Sequence, residues 1–293
     1  MDMESKKKNI AGLTILILGV IVLVIGIIAV NNTDMSKYKT ASRSGSRESF
    51  TEEYSAEGIE DIKISLDSND YTIIFDDSTD RIKIEAEDYA KDSYKVENFE
   101  GTFRFEPKDE NIKLGKLSFH FWLPDLSRLD EIHSIGDLDK LFDDDDGKMT
   151  ITIPKKLYDE VHISAGVGDL VFKGCECKTL HLSAGVGNVD ITDVKADEGH
   201  LSAGVGNIDG TGINFEDFHL SAGVGNVDLA GFVGDSKISC GVGNVKLHVK
   251  NSSNNYHIKE DNADIHEGGS SVSDKDYDMK ISSGLGDCDI YFE

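Results

Sequence analysis

Several things are scarce in this 293-residue chain. It has four cysteines, one tryptophan, and 30 basic residues against 55 acidic ones, for a formal net charge of −25. So little positive charge argues against nucleic acid or an anionic bilayer surface as the partner of the exposed part, because both are held chiefly through Lys and Arg. No Gly-x-Ser-x-Gly elbow, phosphate-binding loop or His-Glu-x-x-His pair occurs, so the familiar signatures of acyl transfer, nucleotide binding and zinc proteolysis are missing.

What the chain does have is a repeated phrase. Ile163-Ser-Ala-Gly-Val-Gly-Asp-Leu170 returns from Leu182, Leu201 and Leu220, each start 19 residues after the last, and returns in drifted form from Ile238 and Ile281. A fixed period of that size marks a solenoid, in which each coil buries its apolar side only by stacking on its neighbours. With the opening Ile/Leu as position zero, small or apolar residues recur at position two (Ala165, Ala184, Ala203, Ala222, Cys240), four (Val167, Val186, Val205, Val224, Val242) and seven (Leu170, Val189, Ile208, Val227, Val245). They recur less strictly at nine (Phe172, Ile191, Gly210, Leu229), twelve (Cys175, Val194, Ile213, Phe232), fourteen (Cys177, Ala196, Phe215, Gly234) and seventeen (Leu180, Gly199, Phe218).

Inward residues on one straight strand share parity. Parity breaks between four and seven, nine and twelve, and fourteen and seventeen, which predicts three bends per coil and places the valines of position four inside. The first bend carries Gly187-Asn188 and its copies, a pair that tolerates positive φ. The expected fold class is therefore all-β, a single-stranded parallel β-helix (β-solenoid) with coils of ~19 residues. Fainter coils near Ile64, Ile82, Thr150–Pro154 and Ile258–Ile265 would close the ends. A β-sandwich would also show short strands between turns, but would not need columns this regular.

Ahead of the repeat, Lys6-Lys7-Lys8 precedes an uncharged run from Ile10 to Val30, about the length of a bilayer-spanning helix. No small-x-small cleavage site and no lipobox cysteine follows it, so an uncleaved anchor is expected. The plan is then a short cytoplasmic N-terminus (1–9), one N-terminal transmembrane helix (10–30), a Ser/Thr-rich linker (31–57) and an extracytoplasmic β-solenoid domain (58–293), with the protein single-pass in the cell membrane. An insertion at 115–148 breaks the coil pattern. Its Leu126, Leu129, Ile132, Ile135, Leu138 and Leu141 are spaced three apart and suit a helix, and it holds Trp122.

Four side-chain sets could carry chemistry. Cys175, Cys177, Cys240 and Cys288 all fall in core columns, where free Cys behaves as a small hydrophobe, so no disulfide is expected. His162, His181, His200 and His219 precede position zero in successive copies, with Lys237 and Lys280 continuing the row. Stacked imidazoles can hold a transition metal, although a plain exposed strand face accounts for the row as well. His181, Ser183, His200, Ser202, His219 and Ser221 define a flat face that would serve binding. Asp190, Asp209 and Asp228 form an outward column whose like charges calcium could bridge. The phrase is not the calcium-binding nonapeptide, and Asp143–Gly147 does not fit an EF-hand loop.

Ser183-Ala-Gly-Val-Gly-Asn-Val-Asp190 and its copies, behind a membrane segment, resemble a bacterial family of adhesin-like domains of unknown function. The resemblance implies a surface binding module with no catalytic residues and no cofactor. Its partner would be a cell-envelope component, a surface glycan or a protein. Envelope-stress sensing is the alternative within the same anatomy. A carbohydrate-active β-helix enzyme is the further one, to be favoured by a cleft where two or three carboxylates interrupt the columns.

Overall fold

Alternating apolar and polar residues set the strands, and the 19-residue period sets how they stack. In the computed structural model, which describes residues 47–90, 93–108, 113–114, 117–118, 147–261 and 263–293, nineteen strands join in one continuous sheet. The first six are β1 (Arg47–Ser55), β2 (Asp61–Ser68), β3 (Asp70–Asp76), β4 (Arg81–Ala90), β5 (Tyr94–Phe99) and β6 (Thr102–Pro107). A separate two-stranded pair follows, β7 (Lys113–Leu114) with β8 (Leu117–Ser118), and then β9 (Lys148–Pro154). The regular coils comprise β10 (Leu157–Val167), β11 (Leu170–Lys173), β12 (Glu176–Val186), β13 (Val189–Thr192), β14 (Lys195–Val205), β15 (Ile208–Val224), β16 (Val227–Val242) and β17 (Val245–Val249). The chain ends with β18 (Tyr256–Asp261), β19 (Asp264–His266), β20 (Tyr277–Leu285) and β21 (Cys288–Phe292).

Successive phrases pair in parallel and in register. Ile163 lies beside Leu182, Leu182 beside Leu201, Leu201 beside Leu220, and Leu220 beside Ile238. In one coil Leu180, Leu182, Ala184, Val189, Ile191, Val194, Ala196 and Gly199 are all buried, which gives the three parity breaks expected. Where an apolar column holds glycine, a neighbouring coil fills the space. A Cβ on Gly199 would stand 2.7 Å from the Phe215 ring, and one on Gly210 would stand 2.5 Å from a Leu229 methyl.

The first bend falls at Gly187 and its copies, as expected, but the residue before it does not face inward. Val186, Val205, Val224 and Val242 are 47–50% exposed, so position four faces solvent and the expected buried valine column does not exist. The reason lies in the flanking glycines. A Cβ on Gly204 would come within 2.5 Å of the Gly185 carbonyl oxygen, and one on Gly206 (φ +139°) within 1.9 Å of that of Gly187. Backbone stacks on backbone at this corner, and the valine between the glycines is left on its outer side.

The next residue ties the corner together. The Asn207 amide Nδ2 donates to Asn188 Oδ1 at 3.1 Å, and Asn226 repeats the bond to Asn207 at 3.3 Å. Each Oδ1 also accepts the backbone N–H of the coil above, as from Asn226 N at 3.1 Å and Asn244 N at 3.2 Å. Asp169 begins this Asn ladder by accepting from both the backbone N–H and Nδ2 of Asn188, at 2.9 and 3.0 Å.

The sheet is mixed rather than purely parallel. At its N-terminal end β1 runs antiparallel to β4, β4 antiparallel to β9, and β5 antiparallel to β6, while β6 and β9 pair in parallel with β2 and β3. An irregular antiparallel layer thus covers the first coil, as a terminal coil requires. β1 lies within the stretch read as linker, and Lys148 of the expected insertion opens β9. At the other end the chain passes from β17 to the outermost strands β18 and β19. It then returns as β20 and β21, which insert between them and the regular coils, so that Ile281 pairs with Ile238. The described residues form one compact unit.

A 3₁₀ turn lies at Ser253–Asn255, and among the described residues no helix is long and apolar enough to cross a membrane. The expected transmembrane helix (10–30) and the expected helix of the insertion, with Trp122, lie outside the described residues.

Candidate functional site

The strands running into the valine corner present two outward columns side by side. One holds Lys63, His162, His181, His200, His219, Lys237 and Lys280, paired coil to coil. The imidazoles stack, with ring centroids 5.5 Å apart for His162 and His181, 4.6 Å for His181 and His200, and 4.9 Å for His200 and His219. Strand spacing alone places such rings about 4.8 Å apart, so the order of this row comes from the backbone.

The second column, two residues earlier on each strand, runs Asp61, Glu160, Thr179, Glu198, Asp217, Asp235. It was missed in the sequence because it is acidic in character without being identical in residue type. Two of its members turn to the basic side chains beside them. Glu198 Oε1 lies 2.8 Å from His200 Nε2, and Glu160 lies 2.9 Å from Lys63 Nζ. The Lys63 hydrogen bond, with smaller help from His181 and His162, holds the Glu160 carboxyl below its usual range. Partial burial, followed by repulsion from His200 and His162, pushes the His181 imidazole down against the weaker pull of Glu160 and Glu198.

Of the residues expected to form a binding face, Ser183, Ser202, His219 and Ser221 are exposed and His181 and His200 half-buried, all on this side. Beyond them the corner presents Val186, Val205, Val224, Val242 and Leu285 as a rib of exposed apolar side chains, 42–50% accessible, one per coil. Asp190, Asp209 and Asp228 are exposed on the strands past the corner and paired in register. Burial and the charges of Asp190 and Asp228 raise the Asp209 carboxyl. Lys246 sits beside Asp228 at the upper end of that column.

The four cysteines are buried as thiols. Cys175 and Cys177 lie 3.9 Å apart at sulfur, and burial drives the Cys175 thiol well above its ordinary range, opposite to the shift that makes a thiol reactive. One shallow depression of about 460 Å³ lies at the irregular base, lined in part by Asp70, Glu85, Glu87, Asp169 and Lys148.

A family model described as Toastrack DUF4097 matches residues 59–292. No curated protein matches the chain. Among solved structures, a candidate cell-adhesion protein from Clostridium sporogenes shares 16% identity, with 84% of this chain and 100% of that one covered at a TM-score of 0.38. A candidate adhesin from Bacteroides fragilis also shares 16% identity, with 83% and 97% covered and a TM-score of 0.40. A candidate lipid-binding protein from Parabacteroides distasonis shares 12% identity, with 84% and 98% covered and a TM-score of 0.31.

Proposed function

The chain belongs to the Toastrack DUF4097 family, and on that premise and the geometry above we propose that it is a binding or scaffold module of the cell envelope. Residues 10–30 would anchor it in the membrane and the solenoid would stand outside the cytoplasm. The observation that carries this reading is the apolar rib of Val186, Val205, Val224, Val242 and Leu285. An ordered exposed apolar stripe costs solubility and is a feature of surfaces that meet a partner. The coil period holds its members in line, so little ordering entropy is lost on contact. The partner is an envelope component whose own surface is apolar where it meets the rib.

Co-sedimentation of the full-length protein in detergent with isolated cell-envelope fragments tests this. Wild type should pellet with the fragments, and a Val186→Ser, Val205→Ser, Val224→Ser triple variant that melts like wild type should stay in the supernatant. Equal pelleting of the two would reject the rib as the contact. The enzyme reading has one observation in its favour, the carboxylates of the basal depression, which interrupt the regular columns. They stand half-buried or exposed on an open surface, without the apolar enclosure that keeps a general acid protonated at neutral pH. Release of reducing sugar from envelope polysaccharide, abolished by Glu85→Gln, would reverse this preference.

A further inference from the structure

We infer that Glu198, His200 and His219 form a binding site for a divalent first-row transition ion, with zinc as its representative. The carboxylate of Glu198 and one ring nitrogen from each histidine lie within 4.8 Å of one another. Ligands about 2.0–2.2 Å from a zinc ion at tetrahedral angles lie roughly 3.4 Å from one another, so the wider separations need to close by roughly an ångström and the 2.8 Å contact of Glu198 with His200 needs to open slightly. Exposed and half-buried side chains on fixed strands do this by small torsional adjustments. The two histidines come from adjacent coils and the carboxylate from the coil of His200, so the ion would clip β14 to β15. Two imidazoles and one carboxylate form a donor set that suits zinc, cobalt, nickel or copper and leaves positions open for water. Calcium and magnesium favour all-oxygen cages.

The rest of the row explains why the site falls here. Glu160, the corresponding acid beside His162, is held by Lys63. The coil between carries Thr179 in place of an acid, and the coil above replaces histidine by Lys237. Asp217 lies next to Glu198 in the acidic column and adds favourable charge, partly offset by Lys237 beside His219. His181, its ring stacked 4.6 Å from that of His200, offers a further nitrogen donor on the neighbouring coil. The site is separate from the valine rib, and its presence or absence leaves the binding-module reading standing.

Calorimetric titration of the full-length protein in detergent at pH 7.5 with zinc chloride tests the assignment. Wild type should bind one zinc per chain. Glu198→Gln and His219→Lys should each weaken binding at least tenfold, the latter placing in this coil the residue its upper neighbour already carries. His266→Gln, on another strand, should bind as wild type does. Because a variant could lose its fold, the wild type provides a second reading by nuclear magnetic resonance. Zinc should shift the imidazole nitrogen signals of His200 and His219 and leave that of His257 unchanged. Zinc affinity equal in wild type and both variants, or shifts spread evenly over all histidines, would overturn the site. So would full competition by equimolar calcium, which would mark the uptake as that of an acidic surface.

Discussion

Val205 and Ile208 stand three residues apart, both apolar and β-branched, yet Val205 is 50% exposed and Ile208 fully buried. The difference fixes what a charge would do at each. Val205→Asp puts a carboxylate into solvent and should leave the melting temperature within a few degrees of wild type. Ile208→Asp puts one into the core, beside Val189 and Val227. There it loses about 1.5–3 kcal/mol of apolar burial and incurs an ion desolvation cost as well, so several coils should unfold. Thermal melts of the two variants followed by circular dichroism check this, and equal damage would mean that the corner is misplaced. Parity, with the bend at the Gly-Asn pair, placed Val205 inside. The step from position two to position seven is odd, so a bend must lie between them, and it does, at Gly206-Asn207; but the residue that abuts a bend need not keep the facing of its strand. Hydropathy favoured an inward valine. The better signal was the glycine on either side of it, which marks backbone stacked on backbone.

At the scale of the coil, the columns at zero and seven were legible because each residue type repeats and its register partner is 18 or 19 residues away. Two features were not. The 18-residue coil could be aligned only by knowing where its missing residue falls. Counting from Leu220 put Phe232 and Gly234 in the inner columns. The structure pairs Gly231 with Ile213 and Val233 with Phe215 instead, leaving Phe232 half-buried. The antiparallel base was illegible for another reason, since β4 and β9 are far apart in sequence and no tight turn joins them. The Asn ladder is the element whose chemistry can be tested most cleanly. Asn207 donates to Asn188 and accepts from Asn226, whereas Asp169 at the start of the ladder accepts from Asn188. Asn207→Asp removes the donor and sets a carboxylate against the Asn188 Oδ1 atom, which should cost about 1 kcal/mol at neutral pH. Asp169→Asn keeps the accepting oxygen and removes a charge, so it should be neutral or mildly stabilising. Urea midpoints at unchanged m-value measure both. A loss from Asp169→Asn matching that from Asn207→Asp would show the ladder to be insensitive to donor and acceptor roles.

Across the whole molecule, stacking identical side chains every coil concentrates like charge, and the two charged rows respond to pH in opposite senses. Burial with the Asp190 and Asp228 charges raises the Asp209 carboxyl. The native state therefore holds that proton more tightly than the unfolded chain, and the Asp209 contribution is lost as pH rises through the carboxylate range. His181 is shifted the other way, lowered by burial and by its neighbours His200 and His162. The unfolded chain then binds the His181 proton more readily, so stability falls as pH drops through the ordinary imidazole range, near 6.5. Acidification also relieves the repulsion of a net charge of −25, which favours the compact state and would hide the histidine effect in a simple melt. The informative quantity is therefore a difference of differences, the melting temperature of His181→Gln minus that of wild type at pH 7.5 and again at pH 5.5, with chelator present to remove any metal. Global charge relief is common to both proteins and cancels. The variant lacks the imidazole that resists protonation, so the gap should move in its favour at the lower pH. A gap that stays constant, or moves toward wild type, would mean that the stacked row carries no protonation strain in the folded state.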